Sequence, residues 1–166
     1  MTWTQFDQYG SADKTCESNI LFSKSPAKGE KWTEPVRINK EAGDCLDDDF
    51  TAMGATPFID QEGRIFVAWA KSGQLFLDRS FDGGDIWLRS DIAFTQQMGG
   101  WNMTIPGLGR ANGLPVISGD NSTGPFRGSI YVAFADQRFG SDDTDIWRSE
   151  EHTSELQSHS DLVCRL

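Results

Sequence analysis

Large apolar residues alternate with small or polar ones along three well-separated stretches: MTWTQF at 1–6, IFVAWA at 65–70 and IYVAFA at 130–135. A period of two puts successive side chains on opposite faces of a strand. Trp3, Trp69 and Phe134 hold the same place in each stretch, 66 and 65 residues apart. A second short strand is expected after each, at 19–23, 75–78 and from Asp145 onward. Two of these lead into a glycine-containing turn closed by tryptophan, SPAKGEKW at 25–32 and SFDGGDIW at 80–87, and then into strands at 35–39 and 88–92. Strands at 55–59 and 114–118 precede the second and third stretches. The spacing predicts an all-β chain with a repeat of about 65 residues, each repeat a four-stranded antiparallel sheet like a β-propeller blade. One blade is complete and two are partial, roughly two and a half in all. Met1 falls inside a strand, so the chain is expected to be a fragment cut at both ends.

The pattern stops at Trp147. Residues 148–166, RSEEHTSELQSHSDLVCRL, show neither strand alternation nor helix capping logic. From Arg148 through Ser158 the run is identical to the in-frame translation of a widely used short-read sequencing adapter. It is therefore expected to be a non-native tail, and residues 1–147 to carry the fold.

Setting the tail aside changes the composition. The whole chain has 166 residues and a net charge of −10. Without the tail, 21 acidic residues face 13 basic ones, both histidines are gone, and Cys16 and Cys45 are the only cysteines. Acid excess excludes a nucleic-acid binder, which needs cations to replace phosphate counterions. No apolar run approaches the ~18 residues of a membrane span. Lack of imidazole rules out Ser-His-Asp, Cys-His and His-ligated zinc chemistry, so any catalysis within 1–147 falls to carboxylates, Tyr, Lys or Arg.

The repeated turn has a physical logic. In S-x-D-x-G-x-x-W the carboxylate accepts N–H groups of its own turn, glycine supplies positive φ, and tryptophan packs the turn onto the sheet. Ser80, Asp82, Gly84 and Trp87 fill all four places; Ser25, Gly29 and Trp32 fill three, with Ala27 at the acid position. This motif, the Asp-box, repeated on a 65-residue unit, resembles the sialidase-like (BNR-repeat) propeller superfamily over residues 1–147. The resemblance implies a propeller of six blades and a glycoside hydrolase of the exo-α-sialidase type, acting on terminal sugars of extracellular glycans. Asp-boxes also occur in non-catalytic propellers, so the other function it implies is binding of carbohydrate or protein. It further implies a secreted, periplasmic or cell-surface parent. A fragment of such a propeller leaves sheet edges and end blades uncovered and is expected to be inactive.

In such enzymes the substrate face lies opposite the Asp-boxes. That assigns to it the long segments 6–18, 40–54, 95–113 and 136–144, and long loops on compact domains often carry function. The element ADQRFGSDDTDIW at 135–147 is similar to a sialidase element with Asp-x-Arg followed by an acid/base aspartate. By that likeness Arg138 contacts substrate and Asp142 or Asp143 protonates the departing glycosidic oxygen; the alternative is an acidic surface loop with Arg138 in a structural ion pair. Two departures stand out. The preceding strand, Leu114-Pro115-Val116-Ile117, lacks the family's arginine, and Arg127 maps to the wrong face. The equivalent loop of the first repeat, Asp7-Gln8-Tyr9, has Tyr9 where Arg138 stands. The run Asp44-Cys45-Leu46-Asp47-Asp48-Asp49 is either a Ca²⁺-binding loop or a solvated acidic one. Trp101 either stacks on a sugar ring or packs under its loop. Arg110 either meets a substrate carboxylate or is solvated. Cys16 and Cys45 map to one face, as a disulfide or as two free thiols.

Overall fold

The computed structural model describes residues 1–26, 28–109, 111–152 and 161–165; residues 151, 152 and 161–165 are described by their backbone. The chain is all-β. Three small antiparallel sheets follow one another, and within each the strands lie side by side in chain order. The first holds β1 (Thr2–Phe6), β2 (Ser18–Phe22) and β3 (Val36–Arg37). The second holds β4 (Met53–Ile59), β5 (Ile65–Lys71), β6 (Gln74–Ser80) and β7 (Ile92–Gln96). The third holds β8 (Val116–Gly119), β9 (Ser129–Asp136), β10 (Asp145–His152) and β11 (Asp161–Arg165). β1, β5 and β9 are the three stretches that align in the sequence.

A sheet of three or four strands cannot cover its own faces, so the sheets stack. β5 sits between two cores. Its odd residues Ile65, Val67 and Trp69 pack with Ile20, Phe22 and Ile38 of the first repeat. Its even residues Phe66, Ala68 and Ala70 pack with Ile117, Ile130, Val132 and Phe134 of the third. Burial on both faces explains why IFVAWA reads as almost continuously apolar. Hydroxyls tie neighbouring sheets together as well: Thr2 and Thr4 on β1 donate to the carbonyls of Ala55 and Ala52 at 3.0 and 3.1 Å. Thr56 donates to that of Pro115 at 3.1 Å.

Three expected elements fall elsewhere. The strand expected at 88–92 forms at Ile92–Gln96. The carboxylate of buried Asp78 accepts the Leu88 N–H at 3.0 Å and so holds the start of that segment in the turn. The strand expected at 35–39 shrinks to Val36–Arg37, because buried Asn39 replaces the ladder with its side chain, Oδ1 accepting the Ile20 N–H at 2.7 Å. Residues beyond Trp147, expected to stand outside the fold, continue β10 to His152 and supply β11. Backbone pairing is indifferent to side-chain identity, and the outer edge of β9 pairs with this segment through Arg148↔Ala133 to His152↔Ser129. The side chains fit less well: Trp147 Nε1, Arg148 Nε and Ser149 Oγ are buried without a hydrogen-bond partner, the mark of a local conflict between sequence and fold.

The 80–87 turn closes on itself. Ser80 Oγ accepts the Gly84 N–H at 2.8 Å and donates to Asp82 Oδ1 at 2.7 Å. That carboxylate accepts the N–H groups of Ile86 and Asp85 at 2.9 and 3.1 Å, and the Ile86 bond does most to hold its pKa below the usual carboxylate value. Trp87 donates to the Gly84 carbonyl at 3.1 Å and meets Phe22 edge-on at 5.2 Å. The 25–32 turn keeps the Ser25–Gly29 bond at 2.8 Å, but Trp32 is exposed and Ala27 lies outside the described residues.

Gly84 combines φ +93° with a close approach, since a Cβ there would lie 2.3 Å from the Phe22 ring. Gly63, with φ +78°, faces open space. Gly63→Ala is expected to cost about 1 kcal/mol, the backbone term alone. Gly84→Ala is expected to cost about 3 kcal/mol, because overpacking is added to the backbone term. Equal losses in urea titrations of the two variants would show that the turn does not bear on the first sheet.

Candidate functional site

The four long segments assigned to one face form one connected loop layer at the Lys71 end of β5. The first joins the second through a Cys16–Cys45 disulfide with Cα atoms 5.9 Å apart, and through a Gly10 N–H to Cys45 carbonyl bond of 2.7 Å. The second joins the third through Asp49, whose Oδ1 accepts the Asn102 N–H at 2.8 Å and whose carboxylate fills the space a Cβ on Gly100 would need. The third joins the fourth through Gln137, whose N–H donates to the Met98 carbonyl at 2.8 Å and whose side chain donates to the Thr104 carbonyl at 3.1 Å. Turns 60–63, 80–87 and 120–128 lie at the other end, where Arg127 pairs with Glu62 at 2.8 Å. Arg127 is thus remote from the loop layer.

The chemistry of the layer centres on Asp136, Arg138 and Trp147. Asp136 ends β9 fully buried, where its Oδ2 accepts the Met98 N–H at 2.9 Å. The Arg138 guanidinium grips the same carboxylate with two bonds, 2.7 Å from Nε and 3.0 Å from an Nη. It also lies over the Trp147 ring, 3.8 Å from the centroid. Burial pushes the Asp136 pKa up, but the Arg138 fork and the two backbone N–H groups outweigh it and leave the carboxyl below its ordinary value. Arg138 therefore stands in a structural ion pair while still lining a cleft of about 540 Å³ with Gln74, Thr95, Gln96 and Met98. That volume suits a small ligand.

The other candidates separate. Asp142 is exposed and Asp143 partly buried on the turn after Arg138, whose shape depends on Gly140 at φ +145°. Trp101 is 2% exposed and its indole N–H donates to the Thr51 carbonyl at 3.3 Å. It is a core residue under its loop, the second of its two expected readings, and not a ring open to a sugar. Arg110 lies outside the described residues. The carboxylates of 44–49 turn to different partners: Asp44 to Thr51, Asp47 to Tyr9, Asp48 to the Phe50 N–H and Asp49 to Asn102. Among the described residues no three acidic, histidine or cysteine side chains converge as metal ligands, so the Ca²⁺ expectation finds no ligand set.

Two polar side chains escaped the sequence reading. Buried Gln97 donates to the Gly113 and Ala135 carbonyls. Gln137 spans Thr104, Ser141 and Thr144. For Gln137 a signal existed in the recurrence of Asp-Gln after two aligned strands, at 7–8 and 136–137; Gln97 had none. The four segments together carry eleven Asp/Glu against four Lys/Arg, so the layer is strongly acidic. Among the described residues no helix is long and apolar enough to cross a membrane. No family model matches the chain, and no curated protein matches it either.

Because the folded Asp136 pKa is lowered, the pair stabilises the protein above the unfolded carboxylate value and loses that effect as pH falls through the folded one. Asp136→Asn should cost about 3 kcal/mol at pH 7, as expected when one partner of a buried pair is removed. In urea titrations from pH 7 to pH 2 the gap between variant and parent should narrow; a pH-independent gap would contradict the assignment. The disulfide closes a loop with a sequence separation of 29. Reductant should lower stability by about 3–4 kcal/mol, and an unchanged denaturation midpoint would mean that the bond does not form.

Proposed function

We propose that the chain is part of an Asp-box β-propeller of the sialidase-like kind, exported from the cytoplasm, whose loop layer recognises terminal sugars of glycans. The observation that carries this reading is the cleft beside Arg138, with two glutamines, a threonine and a guanidinium at its wall and Phe94 and Met98 beside them. Amide, hydroxyl and guanidinium groups match the hydroxyl pattern of a sugar, while apolar patches match its C–H faces. The disulfide supports an oxidising compartment. Acid excess across the layer opposes an anionic sugar, so neutral glycans are the favoured ligands.

Binding without hydrolysis suits these residues best, since Arg138 is committed to Asp136 and Trp147. Hydrolysis is the second reading, favoured by exposed Asp142 on the same turn as Arg138; Asp142 or Asp143 would then supply the acid. Saturation-transfer NMR with neutral and sialylated oligosaccharides tests the first reading. Transfer to neutral sugars that is lost in Gln96→Ala supports it, and absence of transfer to any sugar removes it. A fluorogenic sialoside tests the second: turnover abolished by Asp142→Ala or Asp143→Ala would establish it, and no turnover by the parent chain would end it for this chain.

A further inference from the structure

The three sheets are unequal, and the inequality lies on one edge. β5 and β9 each carry an extra antiparallel neighbour, β4 or β8, on the side away from the next strand. β1, which aligns with them in sequence, has β2 on one side and no strand among the described residues on the other. Hydrogen bonding in an antiparallel pair alternates along the strand. The Met1 carbonyl accepts the Ser23 N–H and the Asp7 N–H donates to the Glu17 carbonyl, both at 3.0 Å. Odd residues therefore face β2, and Thr2 and Thr4 direct their N–H and C=O groups toward the open edge.

A groove of about 530 Å³ runs beside that edge, with Thr4, Phe6, Met53, Leu114, Pro115 and Val116 in its wall and no charged side chain. The strands holding the corresponding place in the other two sheets show what fits. Thr56-Pro57-Phe58-Ile59 and Leu114-Pro115-Val116-Ile117 share an x-Pro-apolar-Ile pattern, and 53–59 and 114–119 are uncharged throughout. Pro57 lies opposite Val67, and Val116, the residue after Pro115, lies opposite Ala133. Pro115 is thus opposite Phe134, which aligns with Trp69, two places along β5 from Val67, so the prolines lie on the same pleat face. Proline is tolerated there because one side of an outermost strand needs no N–H donor.

We propose that the free edge of β1 is a strand-addition site for an uncharged extended segment of this x-Pro-apolar-Ile type. Main-chain bonds to Thr2 and Thr4 supply the attachment, and alternate side chains of the segment enter the neutral groove. The site is at the β1 edge of the first sheet and does not depend on the glycan reading.

Two blocked peptides, MGATPFI (53–59) and GLPVISG (113–119), and a scrambled version of each are titrated into the labelled chain by fluorescence anisotropy. Amide exchange is then followed by NMR. Saturable binding by the native-order peptides is expected, with exchange at Thr2 and Thr4 slowed about tenfold or more and Trp3 and Gln5 unchanged. Thr4→Pro removes an outward N–H and leaves the bonds to β2; it should weaken binding about tenfold or more, whereas Thr4→Val, which keeps that N–H, should not. Retained protection of β5 amides shows that each variant is folded. No saturable binding, equal binding of the scrambled peptides, or protection confined to other strands overturns the proposal. Concentration-dependent protection of Thr2 and Thr4 without peptide overturns it too, by naming a second copy of the chain as the occupant.

Discussion

The structure depends on β5 being buried on both faces. Ile65, Val67 and Trp69 complete one core while Phe66, Ala68 and Ala70 complete the next. Neither outer sheet can close its apolar face without this strand, because three or four strands enclose too little volume to bury themselves. Size alternates along the strand accordingly, with small Ala68 and Ala70 leaving room for the Phe134 and Trp147 side of the third sheet. The loop layer inherits its order from this arrangement, since its four segments spring from strands that β5 holds in place.

Within the layer, polar side chains do what the ladder does in the sheets. Asp49, Gln97, Asp136 and Gln137 each bridge separate segments through backbone groups. Asp49 and Asp136 accept backbone N–H groups, while Gln97 and Gln137 donate to carbonyls. Such bonds fix loop geometry because leaving a buried partner unpaired would cost ~1–3 kcal/mol. The same demand limits chemistry. Arg138, the most attractive cation for a ligand, is already held by a carboxylate and an aromatic ring.

Much of the fold was legible because period-two alternation and the 65-residue spacing report burial directly. The central strands at 65–70 and 130–135 fall inside β5 and β9. Failures came where a side chain displaced the ladder: Asp78 delays β7 and Asn39 shortens β3. No pattern of apolar residues signals a buried acceptor. At the site, the sequence brought the four loops to one face and left open whether Cys16 and Cys45 pair, which the structure answers with a disulfide. It also left two alternatives open for Trp101, and burial selects the packed one. Side-chain direction in a long loop depends on long-range contacts such as Trp101 to Thr51, which local spacing does not encode.

Native-state hydrogen exchange across a urea series tests the shared-strand account most directly. If β5 joins both cores, its amides exchange only through global unfolding, with the highest free energy in the chain. β2 and β9 should then converge on the same unfolding isotherm at low urea. Separate isotherms for β2 and β9, with β5 amides following only one of them, would show two independent cores and contradict it.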